Sequence, residues 1–312
     1  MIDNSIIEWL LESDISIQYQ VYRDLLKIDR PEMKERISKE GWGAKFLSFR
    51  KDNGYWGLGF YQPKWTSTHY TLLDLKNLSI SKYNKDIELT INKIIREEKN
   101  SDGGINPSKS LSRSDVCING MFINYASYFE TDEKDLMSIV DFILSQQLTD
   151  GGFNCQLNRK GATHSSLHST LSVIEGILEY SQNGYTYRIN ELKKAEEESR
   201  QFILEHKLFK SHRTGQTIDH KMLMLSYPCR WRFDILRALD YFQFAGIGIN
   251  SRMTDALDIL IKKQRTDRTW PLQCKHCGQT HFDMGKTGEP DRWNTLRALR
   301  VLKHFELLDR VR

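Results

Sequence analysis

A chain of 312 residues, 39% hydrophobic and 28% charged, is long enough for one large core or two ordinary ones. Its net charge of +4 is small for that length, and no basic run or arginine-rich arm marks a nucleic-acid surface. No apolar run approaches the roughly 20 residues that cross a bilayer, and the acidic N-terminus lacks the basic n-region of a signal peptide, so the expected location is cytoplasmic.

In chain order, residues 1–40 read as an N-terminal helical cap. Ile7, Leu10 and Leu11 form an apolar cluster. Asp14 is placed to cap a second helix whose stripe holds Ile17, Val21, Leu25 and Leu26. Residues 41–312 read as one repetitive domain. Its mark is a phrase that recurs about every 50 residues, the sign of one supersecondary unit stacked on copies of itself. The copies are Asp52-Asn53-Gly54-Tyr55-Trp56, Asp102-Gly103-Gly104-Ile105, Asp150-Gly151-Gly152-Phe153 and a worn Asp267-Arg268-Thr269-Trp270. One set of helices is expected ahead of the phrase, at 43–50, 87–98, 134–148, 191–206 and 254–264. A second set is expected after it, at 67–78, 114–129, 165–181, 232–244 and 292–305. Strand-like alternation is scarce, so the fold class is all-α. The first turns of the second set hold His69, Cys117, His168, Phe233 and Trp293, and their later turns are apolar. In a closed ring of helix pairs such positions would face one hollow, with positive helix N-termini at its mouth.

These residues resemble the α/α toroid of protein prenyltransferase β-subunits and squalene-hopene-type terpene cyclases, across roughly residues 40 to 305. Gln146 to Gln156 and Asn100 to Ile105 are the best pieces. The chain looks still closer to bacterial proteins labelled prenyltransferase-like or squalene-cyclase-like, through phrases at Pro63 to Leu73, Gly161 to Gly176 and Arg292 to Leu302. The resemblance implies a barrel of about five to six helix pairs. It does not name a reaction, because one fold hosts many.

The resemblance also implies a zinc site. In prenyltransferase β-subunits an Asp-x-Cys on one inner helix and a His on the next hold the metal. Asp115, Cys117 and His168 match that pattern, and three such ligands leave a fourth position for water or substrate. The helix N-terminus would favour Cys117 as thiolate. His164, one turn before His168, is a further ligand or proton shuttle, and Cys155 stands in reserve. The alternative is that these residues simply pack the core. A second grouping, Cys274, His276, Cys277 and His281 with Cys229, has half the pattern of a structural zinc site, or is two thiols in a loop.

The Asp-x-Asp-Asp acid of type II cyclases and the Asp-Asp-x-x-Asp of ionising terpene synthases are absent. The first 40 residues are too few for the α-subunit that protein prenyltransferases need, so an α-subunit-like partner stays open. Lys64, Lys210, His212, Arg213, Arg230, Arg232 and Arg292 are the cations available for an anionic group, with Arg230 and Arg232 the preferred pair. Trp65, His69, Trp231, Phe233 and Trp293 are the expected aromatic lining of a substrate cavity. The expected function is therefore a zinc-dependent transferase or cyclase-like enzyme acting on an isoprenoid or other hydrophobic molecule. The alternative is a toroid that binds a lipid or peptide without chemistry and carries a structural zinc.

Overall fold

The computed structural model describes residues 2–108 and 111–311. Among these, every regular element is helical, and other backbone pairing is confined to isolated bridges such as Lys99 with Ile105. The helices are α1 (Asn4–Leu11), α2 (Ile15–Gln20), α3 (Pro31–Arg36), α4 (Gly41–Ser48), α5 (Thr68–Asn77), α6 (Lys85–Glu98), α7 (Val116–Tyr128) and α8 (Glu133–Ser145). There follow α9 (Leu157–Lys160), α10 (Leu167–Gln182), α11 (Ile189–Glu205), α12 (Ile235–Phe244), α13 (Thr254–Lys262) and α14 (Arg292–His304). Both expected helix sets are present. The short α3 and α9, and a π-helical turn at Val21–Leu26, were not expected. Among the described residues no helix is long and apolar enough to cross a membrane.

The chain gathers into two compact units. One comprises Met1–Ser48, Asn77–Ser81 and Leu204–Arg312, the other Phe49–Lys76 and Lys82–Ile203.

In the second unit the helices are of two kinds. Helix α6 buries Ile87, Thr90, Ile91 and Ile94, a stripe at i, i+3, i+4 and i+7 that leaves its other faces polar. Helix α7 buries every residue except Cys117 and Tyr128, as a helix surrounded by protein must. It packs along α10, and the approach is close enough to demand glycine on both sides. A Cβ at Gly120 would lie 2.6 Å from the Val173 Cα, and one at Gly176 would lie 2.2 Å from the Gly120 carbonyl oxygen.

The repeated phrase is a turn with a fixed set of clamps. Gly54, Gly103 and Gly151 take φ of 81°, 88° and 88°, the left-handed region glycine enters without strain. In the worn copy the same role falls to Arg268, with φ 67°. The residue that follows the turn then presents its N–H and C=O to one side chain at the start of the next buried helix. Trp56 meets Thr68, Ile105 meets Asn119, Phe153 meets Thr170 and Trp270 meets Thr295. A second clamp comes from the amphipathic helix beyond. Thr90, Ser138 and Ser199 donate hydroxyls to the carbonyls of Gly54, Gly103 and Gly151.

In the first unit Asp14 caps α2 as expected, accepting from the Ser16 N–H at 2.8 Å, and it also accepts from the Trp42 N–H at 2.7 Å. Leu26, expected on the buried stripe, is exposed. Buried charges join the N-terminal helices to the rest of this unit. Arg297 and Arg300 of α14 both donate to Asp240 of α12, and Arg300 also reaches Asp24 at 3.0 Å. Helices α1 to α4 are thus part of the first unit's packing.

Replacing Thr170 by Val removes one clamp at near-constant volume and leaves the buried Phe153 backbone unsatisfied, a loss of about 1–3 kcal/mol. Gly120→Ala forces α7 and α10 apart, with a loss of about 3 kcal/mol. Urea unfolding of each variant reads both values; wild-type midpoints would contradict them.

Candidate functional site

The start of α7 and the loop ahead of α10, both in the second unit, bring together the chemistry-bearing side chains. Asp115 is the N-cap of α7, yet its carboxylate makes no cap hydrogen bond. The equivalent Asp234 and Asp291 do cap, accepting from Arg237 N–H at 2.8 Å and Asn294 N–H at 2.7 Å. Asp115 instead forms a two-pronged pair with the Arg159 guanidinium, Nε to Oδ1 at 2.9 Å and Nη2 to Oδ2. Arg159 stands on the single turn of α9. That turn is held by Asn158, whose amide donates to the Ser114 carbonyl at 2.9 Å and to Gln146 Oε1 at 2.7 Å. Burial raises the Asp115 carboxyl above the ordinary carboxylate value, and Arg159 offsets part of that rise.

Cys117, half-buried in the first turn of α7, shares a hydrogen bond with half-buried Cys155. The side chains around Cys117 act against the thiolate that the helix N-terminus would favour. The bond to Cys155 together with desolvation pushes the Cys117 thiol well up, and the negative Asp115 adds to this. Cys155 is the more acidic of the two thiols. Donation from Cys117 brings it down to about 6, against desolvation, and the Ser169 hydroxyl helps. The Cys155 N–H in turn donates to Ser169 Oγ at 3.1 Å, which fixes the loop to α10.

Tyr61 borders this group. Its hydroxyl lies 3.1 Å from that of Tyr70, and its ionisation is raised by burial and then by the charges of Cys117 and Asp115. Behind it lies an aromatic cluster. The His69 ring is 5.4 Å from Phe60, 5.6 Å from Tyr61 and 4.9 Å from Tyr70, and Trp65 is 4.9 Å from Tyr70. His69 is fully buried, with Nδ1 3.2 Å from the Tyr125 hydroxyl and Nε2 without a hydrogen-bond partner. Burial holds it down to about 3, so it is neutral. By the clamp register His69 follows Thr68, whereas Cys117 and His168 precede Asn119 and Thr170 by two. His69 is therefore not their equivalent.

The remaining expected residues are placed as follows. His168 is half-buried in the first turn of α10, and His164 is exposed, its carbonyl accepting from Asn154 at 2.7 Å. Arg230, Trp231, Arg232, Phe233 and Trp293 belong to the first unit. Arg230, Phe233 and Trp293 are buried there, and Trp293 stacks on Tyr227 at 4.6 Å. Arg292 lies 4.1 Å over the Trp9 ring. Lys210 pairs with Asp255 at 2.6 Å, and Lys64 lies over Trp65. Cys229 donates to the Ser226 carbonyl at 3.1 Å. Among the described residues no three His, Cys, Asp or Glu side chains gather as one ion would require. As arranged, Asp115, Cys117 and His168 do not fit zinc, since both Asp115 oxygens are taken by a guanidinium.

Sequence reasoning did not single out Arg159, Ser169 or Tyr61, and kept Cys155 in reserve. The one available signal was Cys155 directly after the turn of a repeat. Compared with known proteins, the chain matches no family model and no curated protein.

His69 gives a pH test. Its folded value of about 3 lies below its unfolded value of 6.5. The stability it contributes is fully present above pH 6.5 and is lost as pH falls toward 3, by about 1.4 kcal/mol per pH unit. His69→Phe flattens this part of the profile. Urea unfolding at several pH values compares the two proteins; parallel profiles would contradict a neutral buried ring.

Proposed function

We propose that the chain is an enzyme whose chemistry runs on the Cys155 thiolate, acting on a hydrophobic substrate within an α/α toroid of the prenyltransferase and squalene-cyclase kind. The observation that carries this is the setting of Cys155: its N–H donates to Ser169 Oγ at 3.1 Å, and the Cys117 thiol and the Ser169 side chain together hold its thiol down to about 6. The fold-level support is the phrase clamped alike in four places, between buried and amphipathic helices. The aromatic cluster of Phe60, Tyr61, Trp65, His69 and Tyr70 beside the sulfurs supports an apolar, isoprenoid-like substrate. In the reaction, Cys155 sulfur forms a bond to an electrophilic carbon, and the bond from that carbon to its leaving group breaks, its electron pair departing with the group. With a leaving group stable as an anion, no other acid or oxidant is required.

A second reading keeps zinc. Asp115 acts electrostatically on both Cys117 and Cys155, which offers one carboxylate and two thiols as potential ligands. Zinc there needs Arg159 to leave Asp115.

Iodoacetamide labelling followed by peptide mass spectrometry tests the thiolate. Cys155 is expected to label with a midpoint near pH 6, Cys117→Ala to move that midpoint upward, and Cys155→Ser to abolish the fast phase. A midpoint near the ordinary thiol value of about 8.5 removes the proposal. Stoichiometric zinc in the purified protein, lost in Cys117→Ala, would favour the metal reading instead.

A further inference from the structure

We propose that the loop after α11 binds an exchangeable divalent transition-metal ion between the imidazole rings of His206 and His212. Both residues lie in the first unit, so the inference stands apart from the thiol site. A distance carries it. His206 Nε2 and His212 Nδ1 are 3.2 Å apart, with ring centroids at 5.0 Å and ring planes at 82°. Two imidazole nitrogens on one ion, each about 2.0–2.1 Å from it and about 90–110° apart, stand about 2.9–3.4 Å from one another. The pair already has that spacing.

The backbone fixes this approach. His206 directly follows α11, and Lys207 and Leu208 then take φ of 42° and 69°, which turns the chain back on itself. Leu208 and Phe209 are buried and anchor the turn. The Phe209 and Lys210 N–H groups both donate to the His206 carbonyl, at 2.9 and 2.6 Å. His212 sits in the closed loop that follows. There the Ser211 N–H donates to the Gln216 carbonyl and the Gly215 N–H to the Ser211 carbonyl, each at 2.8 Å.

The chemistry of the pair suits a metal. A neutral imidazole carries one proton and one lone pair, and in the present contact one ring donates its N–H to the other. Protons on His206 Nδ1 and His212 Nε2 free both facing lone pairs without loss of a proton. A turn of the exposed His212 ring about χ2 then directs them to one point. His206 has a further interaction, and ligation uses only its Nε2 edge; a ligating imidazole normally keeps a partner at its other nitrogen. Two side chains are fewer than the three that would enclose a resident ion, so water fills the other positions and the ion exchanges. Imidazole suits copper, nickel and zinc, with copper(II) held most tightly. The C-terminal end of the 17-residue α11 favours a cation. Of the loop's own cations, Lys210 is paired with Asp255 at 2.6 Å, and Lys207 and Arg213 are exposed and screened by water.

Titration calorimetry and thermal unfolding of the untagged protein with nickel(II) chloride, against magnesium chloride at matched ionic strength, test the site. The wild-type protein is expected to bind one nickel ion per chain and to show a saturable rise in Tm that magnesium does not give. His212→Ala, at an exposed position, is expected to weaken binding about tenfold or more, whereas His220→Ala, also exposed, keeps wild-type affinity. A Cys117→Ala, Cys155→Ser double variant keeps it too, which separates this ion from any metal at the thiols. The proposal is overturned if nickel gives no more heat or Tm rise than magnesium, or if His212→Ala, folded by circular dichroism, retains the full affinity. Loss of binding in the double cysteine variant, with His212→Ala unaffected, would place the ion at the thiols and overturn it as well.

Discussion

One interaction recurs at four turns that lead into buried helices: a Thr or Asn side chain that serves both the N–H and the C=O of the residue after the turn. Without it the backbone at Trp56, Ile105, Phe153 and Trp270 would enter the core with two polar groups unpaired. Such groups are costly away from water, so the turn cannot be buried until the helix is in place, nor the helix seated without the turn. The hydroxyls of Thr90, Ser138 and Ser199 add the amphipathic helix to the same knot. Three elements are fixed by a few hydrogen bonds, and this makes the repeat the unit of structure.

The thiol pair follows from that geometry. Cys117 sits two residues before the clamp residue Asn119, and Cys155 sits two residues after the clamped Phe153. The two clamps belong to adjacent copies, on α7 and α10, whose close approach is set by Gly120 and Gly176. Neither sulfur is positioned by its own packing. Each is carried on a segment already fixed in position, and Ser169, beside the clamp residue Thr170, completes the contact. The scaffold therefore supplies the rigid support that a reactive group needs.

The architecture was legible in the sequence because its signals are local. Glycines at left-handed positions mark the turns, and the 3.6-residue apolar period marks α6 and its kin. The clamps were hidden because their spacing drifts, from 12 residues between Trp56 and Thr68 to 25 between Trp270 and Thr295. The site was legible only in part. Asp115 and Cys117 stand out as a pair, but the partner of each comes from a segment without periodicity. Arg159 rides on α9, a single turn too short to show a stripe, and Cys155 lies in a loop. Aligning helices by their apolar turns placed Cys117 against His168, as the clamps also do. Alignment alone does not show that the thiol turns toward the loop and the carboxylate toward a guanidinium.

That arrangement also decides which group carries the charge. Asp115, Cys117 and Cys155 compete for it, since each anion raises the cost of the next. Arg159, its side chain 40% exposed to water, offsets part of the rise that burial imposes on the Asp115 carboxyl. Between the sulfurs the choice falls on hydrogen bonds. Hydrogen bonding with Cys117 and Ser169 lowers the Cys155 thiol, whereas hydrogen bonding with Cys155 raises the Cys117 thiol; Asp115 acts against the charge on both. The two sulfurs thus differ in acidity because of their surroundings, and Arg159 supplies the positive charge beside Asp115.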